Sequence, residues 1–222
     1  MTTYRKFWQD LPRTDFYEYF NDFLIAQDYA AADWTITTTE AGAGAATEAI
    51  STGARGGILV ITNDAADNDL DFFQSTIEQY KFVTGKALEF ECRFKLLEVL
   101  QADLVLGLQI TDSTMLDVTD GIFFQKDDGD ALLDFHVEKN NTATDVAGVA
   151  TLVADTWIKV GFYYDGDDDH KIQIFVNDVR VGAAALTNVP DDEELAISFG
   201  VQNGEAVANV LSIDYIRCIQ QR

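Results

Sequence analysis

The residue types that could take part in catalysis are few, and their spacing limits the chemistry. The two histidines, His136 in LDFHVEK and His170 in GDDDHK, have no Cys or His at the spacing of a zinc site such as HExxH or CxxC. We therefore predict no zinc site, and we expect His136 on an exposed strand face and His170 in a solvated turn. The serine-nucleophile pattern GxSxG and the phosphate-binding pattern GxxxxGK followed by Ser or Thr are both absent.

One pair of acids has the spacing of a carboxylate catalyst. A glycosidase needs two carboxyl groups held across a cleft, and many sandwich glucanases place them on one strand as E-x-D-x-E. The nearest stretch here is Glu89-Phe90-Glu91, which lacks the middle Asp and a third acid. Alternation puts both glutamates on the face of Arg93 and Lys95, which we expect to neutralise them as surface charges. We predict that the chain is not an enzyme, and a divergent glycosidase stays as an alternative.

Acidic loops are the remaining candidates for binding an ion. Calcium takes 6–8 oxygen ligands, which clustered carboxylates can supply. None of the loops matches the twelve-residue helix–loop–helix calcium motif. With 38 acids in 222 residues, short acidic clusters arise by chance. We predict solvated loops and no cofactor, with a structural calcium as the alternative. Its candidate ligands are Asp64, Asp67, Asp69, Asp127, Asp128 and Asp130.

The charge balance excludes two classes of partner. Fifteen Lys and Arg face 38 Asp and Glu, for a net charge of −23. Nucleic acids and anionic lipids are bound by clustered basic residues, so we predict neither as a partner. We find no secretory signal and no apolar run of about 18 residues that would span a membrane. Cys92 and Cys218 lie in apolar strand patterns, so we expect buried free thiols, while a single bridge between them stays open.

The first residues differ from the rest of the chain. They concentrate basic and aromatic side chains in an otherwise acidic protein, and such residues are typical of interface hot spots. We predict that residues 1–20 form an arm that docks on another protein, ahead of a single domain over 21–222. The alternative is a segment that packs on its own domain. The candidate partner-binding residues are Tyr4, Arg5, Lys6, Phe7, Trp8 and Arg13.

The elements that must position these residues are strands. From about residue 57, apolar and polar residues alternate with period two, as in LEFECRFKL and DLVLGLQI, which indicates half-buried strands. The turn GDDDH separates WIKVGFYYD from KIQIFVND, and Asn177-Asp178 begins a tight reversal. Turn signals recur every 8–12 residues or so, which favours an antiparallel sandwich of about a dozen strands.

Large aromatic residues leave a second interpretation open. Rings that stack on sugar faces, together with a few polar groups, form carbohydrate platforms. A sandwich core requires large aromatics in any case, and we predict that role for most of them. The candidates for a sugar platform are Trp34, Trp157, Tyr163 and Tyr164.

A resemblance to a known fold supports the all-β class. The run TWIKVGFYYDGDDDHKIQIFVNDVRVG resembles the central hairpin of concanavalin A-like and laminin-G-like jelly rolls, and LSIDYIRCIQ is similar to their closing strand. The likeness covers roughly residues 20–220. It implies a concanavalin A-like jelly-roll sandwich of two antiparallel sheets with an N-terminal extension. It implies little about function, because lectins, hydrolases and virion proteins share this fold.

A narrower resemblance implies a function. The stretches GIFFQKDDGD, TNVPDDEELAISFGVQNGEA and LSIDYIR look like those of jelly-roll structural proteins of marine tailed phages, particularly cyanophages. The resemblance implies a non-enzymatic capsid decoration protein, assembled in the host cytoplasm and displayed on the capsid surface. Its expected partners are the major capsid protein or other virion proteins, and it could form a homotrimer. The alternative is a lectin-like carbohydrate-binding module that adsorbs to a host-surface glycan.

Overall fold

The computed structural model describes residues 8, 11–51 and 56–222. Within these residues the alternating pattern forms fifteen strands, somewhat more than the dozen or so that the sequence predicts. One of the fifteen strands, Phe16–Asn21, lies in the aromatic segment near the N-terminus. Trp8 has helical backbone geometry, and two short 3-10 helices are present at Arg13–Asp15 and Ala26–Tyr29. The prediction of an all-β chain is confirmed.

Eight of the strands form sheet A. In chain order they are β1 (Phe16–Asn21), β3 (Thr47–Ile50), β4 (Leu59–Thr62), β6 (Leu88–Leu96), β11 (Ile158–Tyr164), β12 (Ile172–Val176), β13 (Val179–Ala184) and β15 (Val210–Gln221). Their spatial order is β13-β12-β11-β6-β15-β4-β3, and all pairs are antiparallel. β1 pairs with the second half of β15, beyond the stretch that β4 covers. Residues 16–20, which the sequence assigns to the arm, therefore belong to this sheet.

The other seven strands form sheet B. They are β2 (Trp34–Thr39), β5 (Leu70–Ser75), β7 (Ala102–Gln109), β8 (Gly121–Lys126), β9 (Leu132–Lys139), β10 (Thr142–Thr151) and β14 (Ala196–Asn203). Their spatial order is β10-β9-β8-β7-β14-β5-β2, again antiparallel throughout. Consecutive strands rarely stay in one sheet over the first half of the chain, so most early loops cross from one layer to the other.

The core lies between the two sheets and is built from the alternate residues that the sequence places on one face. β6 contributes every second residue from Leu88 to Leu96, all of them in the main apolar cluster. Phe73 and Phe199 stack at 4.8 Å between centroids, and Trp34 meets Phe199 edge-on at 5.0 Å. Each large side chain buried in this way contributes about 1.5–3 kcal/mol. The core therefore supports the fold without a disulfide.

Turns and cysteines follow the expected chemistry. Asn177 and Asp178 both have positive φ, as a two-residue turn between β12 and β13 requires. Cys92 and Cys218 lie on adjacent strands of sheet A and are free, buried thiols. Burial raises the pKa of both thiols well above the usual value. Among the residues that the structure covers, no helix has the length and apolar character needed to cross a membrane.

The loops gather at two ends of the sandwich. One end, which we call the β6–β7 end, carries loops 40–46, 63–69, 97–101, 127–131, 152–157 and 204–209. The opposite end, the β5–β6 end, carries loops 76–87, 110–120, 165–171 and 185–195. Backbone hydrogen bonds join the loops of the first end to one another, from Gly129 N to Leu100 O at 2.6 Å and from Gly204 N to Gln101 O at 2.9 Å. This end is a continuous surface.

Candidate functional site

The described part of the N-terminal segment packs on the outer face of sheet A. Trp8 is 6% exposed and forms a small apolar cluster with Phe16, Tyr163 and Phe175. Its indole Nε1 donates a 2.6 Å hydrogen bond to Glu89 Oε2. Trp8 is therefore held by its own domain, which is the alternative that the sequence left open for this segment.

The other residues of the predicted arm have different placements. Arg13 is exposed and lies 3.7 Å from the carboxylate of Glu18. The remaining four candidates lie outside the described residues, so their partner-binding role stays a prediction. They are Tyr4, Arg5, Lys6 and Phe7.

The sequence is wrong about the exposure of the glutamate pair. Glu89 and Glu91 are only 2% and 6% exposed, because side chains of Trp8 and of the neighbouring strand β15 lie over them. Arg217 donates a 2.8 Å bond to Glu89, and the hydroxyl of Tyr215 donates to Glu91. Carboxylates that are buried and bonded in this way cannot reach a substrate, which a general acid or base must contact. The geometry thus gives this pair a structural role.

The basic residues expected to neutralise those glutamates have other partners. Arg93 pairs with Asp214 and Lys95 with Asp155. Both cations also lie over the ring of Trp157, at 4.7 and 5.5 Å from its centroid. Trp157 is half-buried, and two cations already occupy its ring face. That face is therefore not free to stack on a sugar.

The other three platform candidates are buried. Trp34 is 1% exposed, and Tyr163 and Tyr164 are also buried. Trp34 and Tyr164 lie in the core between the sheets, as the core interpretation predicts, whereas Tyr163 lies in the outer cluster around Trp8. The three ring faces are not open to a sugar.

The outer face of sheet B is covered by a loop of the chain itself. Met115 and Val118, from loop 110–120, are buried against Phe72, Val105 and Phe123 in a separate apolar cluster. The sequence predicts one interior between the sheets and does not predict this second layer. The sequence contained one indication of this second layer. Val105 and Phe123 are apolar although alternation places them on the outer face of sheet B.

His136 is less exposed than the sequence predicts. It points away from the core, but only 17% of its side chain is exposed. Its ring stacks on Phe123 at 5.3 Å, and Nδ1 lies 2.8 Å from Asp145. His170, in contrast, is exposed as expected, and the bond to Asp165 raises its pKa. Each histidine therefore has one aspartate beside it, but within the described residues neither belongs to a group of three or more potential metal ligands.

The two acidic loops proposed for calcium lie at the same end but in different surroundings. Asp127 accepts from Gln125 and Asp130 accepts from the Leu132 amide, both through exposed side chains. Beside them, the Lys126 ammonium donates to two backbone carbonyls, and burial lowers its pKa. This loop already holds a cationic group of its own. Asp128 is likewise exposed.

The other loop brings two of its acids together. Asp69 is fully buried and Asp64 half-buried, and the neighbouring carboxyl group of Asp69 is the main cause of the raised pKa of Asp64. Asp67 is exposed on the same loop. Within the described residues, no group of three or more His, Cys, Asp and Glu side chains is arranged to hold a metal ion.

Asp71 is an acid that the sequence did not single out. It is fully buried at the edge of the sandwich, where Thr38 Oγ1 donates to it at 2.8 Å. Burial raises its pKa to about 7, and the nearby carboxylates of Glu48, Glu40 and Asp69 add to the shift. A search for clustered acids does not find Asp71, because it is a single acid within β5. Alternation places it on the same side of the strand as the core residue Phe73.

The β6–β7 end also carries a concentration of exposed apolar side chains. They lie on loops 97–101, 152–157 and 204–209 and at the start of β9. Loops 97–101 and 204–209 are joined as described above, and loop 152–157 bonds to both neighbours, from Asp155 N to Leu96 O and from Leu152 N to Ala131 O, each at 2.8 Å. Each of the apolar residues is between 43% and 63% exposed. These residues are Leu97, Leu100, Leu132, Val153 and Val207. We call this set the apolar end patch.

The β5–β6 end carries a small cavity of about 260 Å³. Tyr164 donates to Asp168 at 3.2 Å across its wall, and Thr84 donates to the same carboxylate. Phe82 and Tyr164 present little ring surface to it, since both are nearly fully buried. The lining residues are Phe82, Thr84, Tyr164, Asp168, Leu186, Val189 and Asp191.

Comparison with known proteins identifies the fold. No family model and no curated protein matches the chain. Among solved structures, it is similar to a protein of unknown function from Shewanella oneidensis MR-1, with a TM-score of 0.65 and 16% identity over 100% of this chain and 95% of that one. It is also similar to a GH16 enzyme of the Bacteroides ovatus mixed-linkage glucan locus, with a TM-score of 0.64 and 12% identity over 89% and 98% of the two chains.

A carbohydrate recognition domain shares the architecture as well. That of Emp46p, in its potassium-bound form, matches with a TM-score of 0.60 and 10% identity over 89% of this chain and 94% of that one. The chain is therefore a concanavalin A-like jelly-roll sandwich, as the sequence predicts. At these identities the likeness carries the fold alone, and both enzymes and lectins have it.

Proposed function

We propose that this chain is a non-enzymatic binding domain that attaches to a larger protein assembly, and that the assembly is the head of a tailed-phage virion. The observation that supports a non-enzymatic binding role is the apolar end patch. Monomeric proteins rarely gather exposed apolar residues in one place unless they bind something there. The second half is supported by the resemblance of three sequence stretches to phage structural proteins.

The surroundings of the patch favour a particular kind of partner. Asp127, Asp128, Asp130 and Glu205 are exposed on the loops that carry or flank it. At the same end, Lys95 and Lys159 are each engaged with an aspartate, and Lys126 is buried. An apolar centre within an acidic rim fits a protein surface that presents an apolar contact among basic side chains. We propose the major capsid protein or another virion protein for that role.

Weak contacts of this kind are sufficient on a shell. A capsid repeats the same site many times, so a decoration protein that forms trimers would bind through several contacts at once. The net charge of −23 would keep decorated particles from associating with one another. We propose a location on the capsid surface after assembly in the host cytoplasm.

The experiment that tests this proposal is peptide mass spectrometry of purified phage particles produced from the genome that encodes the chain. We expect the chain in the particles, in a ratio to the major capsid protein that indicates hundreds of copies. A few copies would contradict the decoration role and favour a tail or fibre position. Absence from the particles would refute the proposal as a whole.

Point variants test the surface itself. We expect Leu100→Ser and Val153→Ser to reduce co-sedimentation of the purified chain with undecorated heads by tenfold or more, if each replacement removes about 1.4 kcal/mol of binding. The matched control is Ile77→Ser, because Ile77 is 64% exposed but lies in loop 76–87 at the opposite end. Equal binding by all three variants would contradict this use of the patch.

Glycan binding is the second candidate, and one observation favours it. The cavity at the β5–β6 end combines aromatic and carboxylate groups, as sugar sites do, and the fold is shared with a carbohydrate recognition domain. Against it, the aromatic faces there are buried and the outer face of sheet B is filled by loop 110–120. Retardation of the chain in gels that contain host polysaccharide, abolished by Asp168→Asn, would establish this alternative.

A further inference from the structure

Four buried oxygen atoms near loop 63–69 have no hydrogen-bond donor in the described structure. They are Asn63 Oδ1, Asp64 Oδ1, Asp69 Oδ2 and Asp71 Oδ2. Asn63, Asp69 and Asp71 are fully buried residues. Native proteins leave few buried polar atoms unpaired, so a proton, a water molecule or a cation is expected at these acceptors. Oxygen acceptors without donors are the ligands that hard cations take.

Two of these atoms belong to carboxyl groups that meet loop 40–46 at consecutive residues. The oxygens of Asp64 lie 3.3 and 3.4 Å from the position that a Cβ on Gly42 would take, next to the residue that Asp69 contacts. The other oxygen of Asp69, Oδ1, is already fixed by the Ala41 amide at 2.6 Å. Two neighbouring carboxylates repel each other unless a proton or a cation lies between them.

Two neighbouring segments of the chain lie close against Asp64 and its loop. A Cβ added to Gly44 would lie 1.8 Å from Asp64 Oδ2, so loop 40–46 runs directly against the carboxylate. From the opposite side, the Asn203 amide donates to the carbonyls of Asp64 and Ala66 at 2.7 and 2.9 Å. Loop 63–69 is therefore tied to the end of β14, and its acids are held in place rather than free to separate.

We propose that Asp64 and Asp69 hold one divalent cation, with calcium as the ion that suits an oxygen-only site. Asp64 Oδ1 and Asp69 Oδ2 supply its charged ligands, and water completes the 6–8 positions that calcium prefers. Asp71 lies behind the pair and adds negative potential. With two carboxylate ligands rather than three or four, the site belongs to the weak class, with a Kd of about 10⁻⁴–10⁻³ M.

This inference does not depend on the proposed function. The loop could hold a cation in a decoration protein or in a glycan-binding one. Asp127, Asp128 and Asp130 are not part of it, because that loop lies beside the buried Lys126 ammonium and two of its acids already accept hydrogen bonds.

The test is thermal unfolding of the purified full chain, first in EDTA and then in calcium chloride. At about ten times a Kd of 10⁻³ M, mass action predicts a rise in Tm of about 3–6 °C for a domain of this size. Sodium chloride at matched ionic strength controls for screening of the net charge. Equilibrium dialysis with radioactive calcium should give one site per chain.

Isosteric variants locate the ion. We expect Asp64→Asn and Asp69→Asn to abolish the calcium-specific rise in Tm and the bound calcium. Both should fold, because each removes a repulsive charge without changing shape. Asp67→Asn is the matched control, since Asp67 is exposed on the same loop, and it should respond as the original chain does.

Three results would overturn the proposal. The first is no rise in Tm beyond that of matched sodium chloride. The second is a full calcium response in either isosteric variant. The third is a Tm that depends on pH but not on calcium, which would mean that the two carboxyl groups share a proton instead of a cation.

Discussion

The ion pair between Arg217 and Glu89 should be one of the most sensitive points of the fold. Arg217 donates a 2.8 Å bond to Glu89 and a 2.6 Å bond to Glu18. Glu89 is 2% exposed, and the side chain of Arg217 is 22% exposed. Burial lowers the pKa of Arg217, but Glu89 and Glu18 more than offset this, so the guanidinium stays charged. We expect Arg217→Met to destabilise the protein strongly.

The magnitude follows from the charge left behind. Removing one partner of a buried ion pair costs about 3–5 kcal/mol, because the remaining buried charge loses a cation that balanced it. Glu89 keeps the hydrogen bond from Trp8 Nε1, so we expect the lower end, about 3 kcal/mol. For a domain of this size that corresponds to a Tm lower by about 6–12 °C. This is a large fraction of the 5–15 kcal/mol or so that stabilises a typical domain.

The loss should also depend on pH. Without Arg217, burial should raise the folded-state pKa of Glu89 above its unfolded value of about 4.3. The loss of stability in Arg217→Met is then fully present above the folded-state pKa of Glu89. It disappears as the pH falls from that pKa toward the unfolded-state pKa. Urea denaturation of both proteins should therefore show a larger difference in the free energy of unfolding at neutral pH than near pH 5.

Two further variants decide whether the reasoning holds. The double variant Arg217→Met, Glu89→Gln should recover much of the loss, because it removes the buried charge that Arg217 balances. Lys81→Met is the control, since the exposed Lys81–Glu194 pair at 3.1 Å should contribute only about 0–1 kcal/mol. If Arg217→Met costs no more than Lys81→Met, or if the double variant is no better than the single, the argument from burial is wrong.

Two other predictions concern buried titratable groups. Because the pKa of Asp71 is raised from 3.8 to about 7, its ionised form opposes folding, and the stability that protonation supplies is lost as the pH rises through about 7. Asp71→Asn should remove this part of the pH dependence, as measured by urea denaturation on either side of pH 7, and an unchanged slope would contradict the assignment. Cys92 and Cys218 should react with a thiol reagent only after unfolding, since both are buried and their pKa values are raised. Labelling of the native protein at the rate of a free thiol would show that the strands around them open readily.

The fold could be predicted from the sequence because local alternation and turn chemistry act in the same direction along the chain. The period-two pattern of Leu88 to Leu96 determines which side chains enter the core, whatever the neighbouring strands are. Asn177 and Asp178 determine a turn because their side chains tolerate positive φ. The absence of recognisable catalytic motifs was likewise visible in the residues alone.

Alternation also has a limit, which Glu89 and Val105 illustrate. Period two tells which residues point away from the core but not what covers them on the outside. Trp8 and Tyr215 cover the glutamates on sheet A, and Met115 covers Val105 on sheet B. Both layers come from segments distant in sequence, so no local pattern could indicate them.

The candidate cation site divides in the same way between sequence and tertiary structure. The sequence alone marked Asp64, Asp67 and Asp69 as acids of one loop, with a second loop, Asp127 to Asp130, of equal promise. Only the tertiary structure turned Asp69 inward beside Asp64, left Asp67 in solvent and buried the Lys126 ammonium beside the competing loop. The physical reason is that a carboxylate acquires its role from the charges and donors around it, and those arrive through strand pairing between distant parts of the chain.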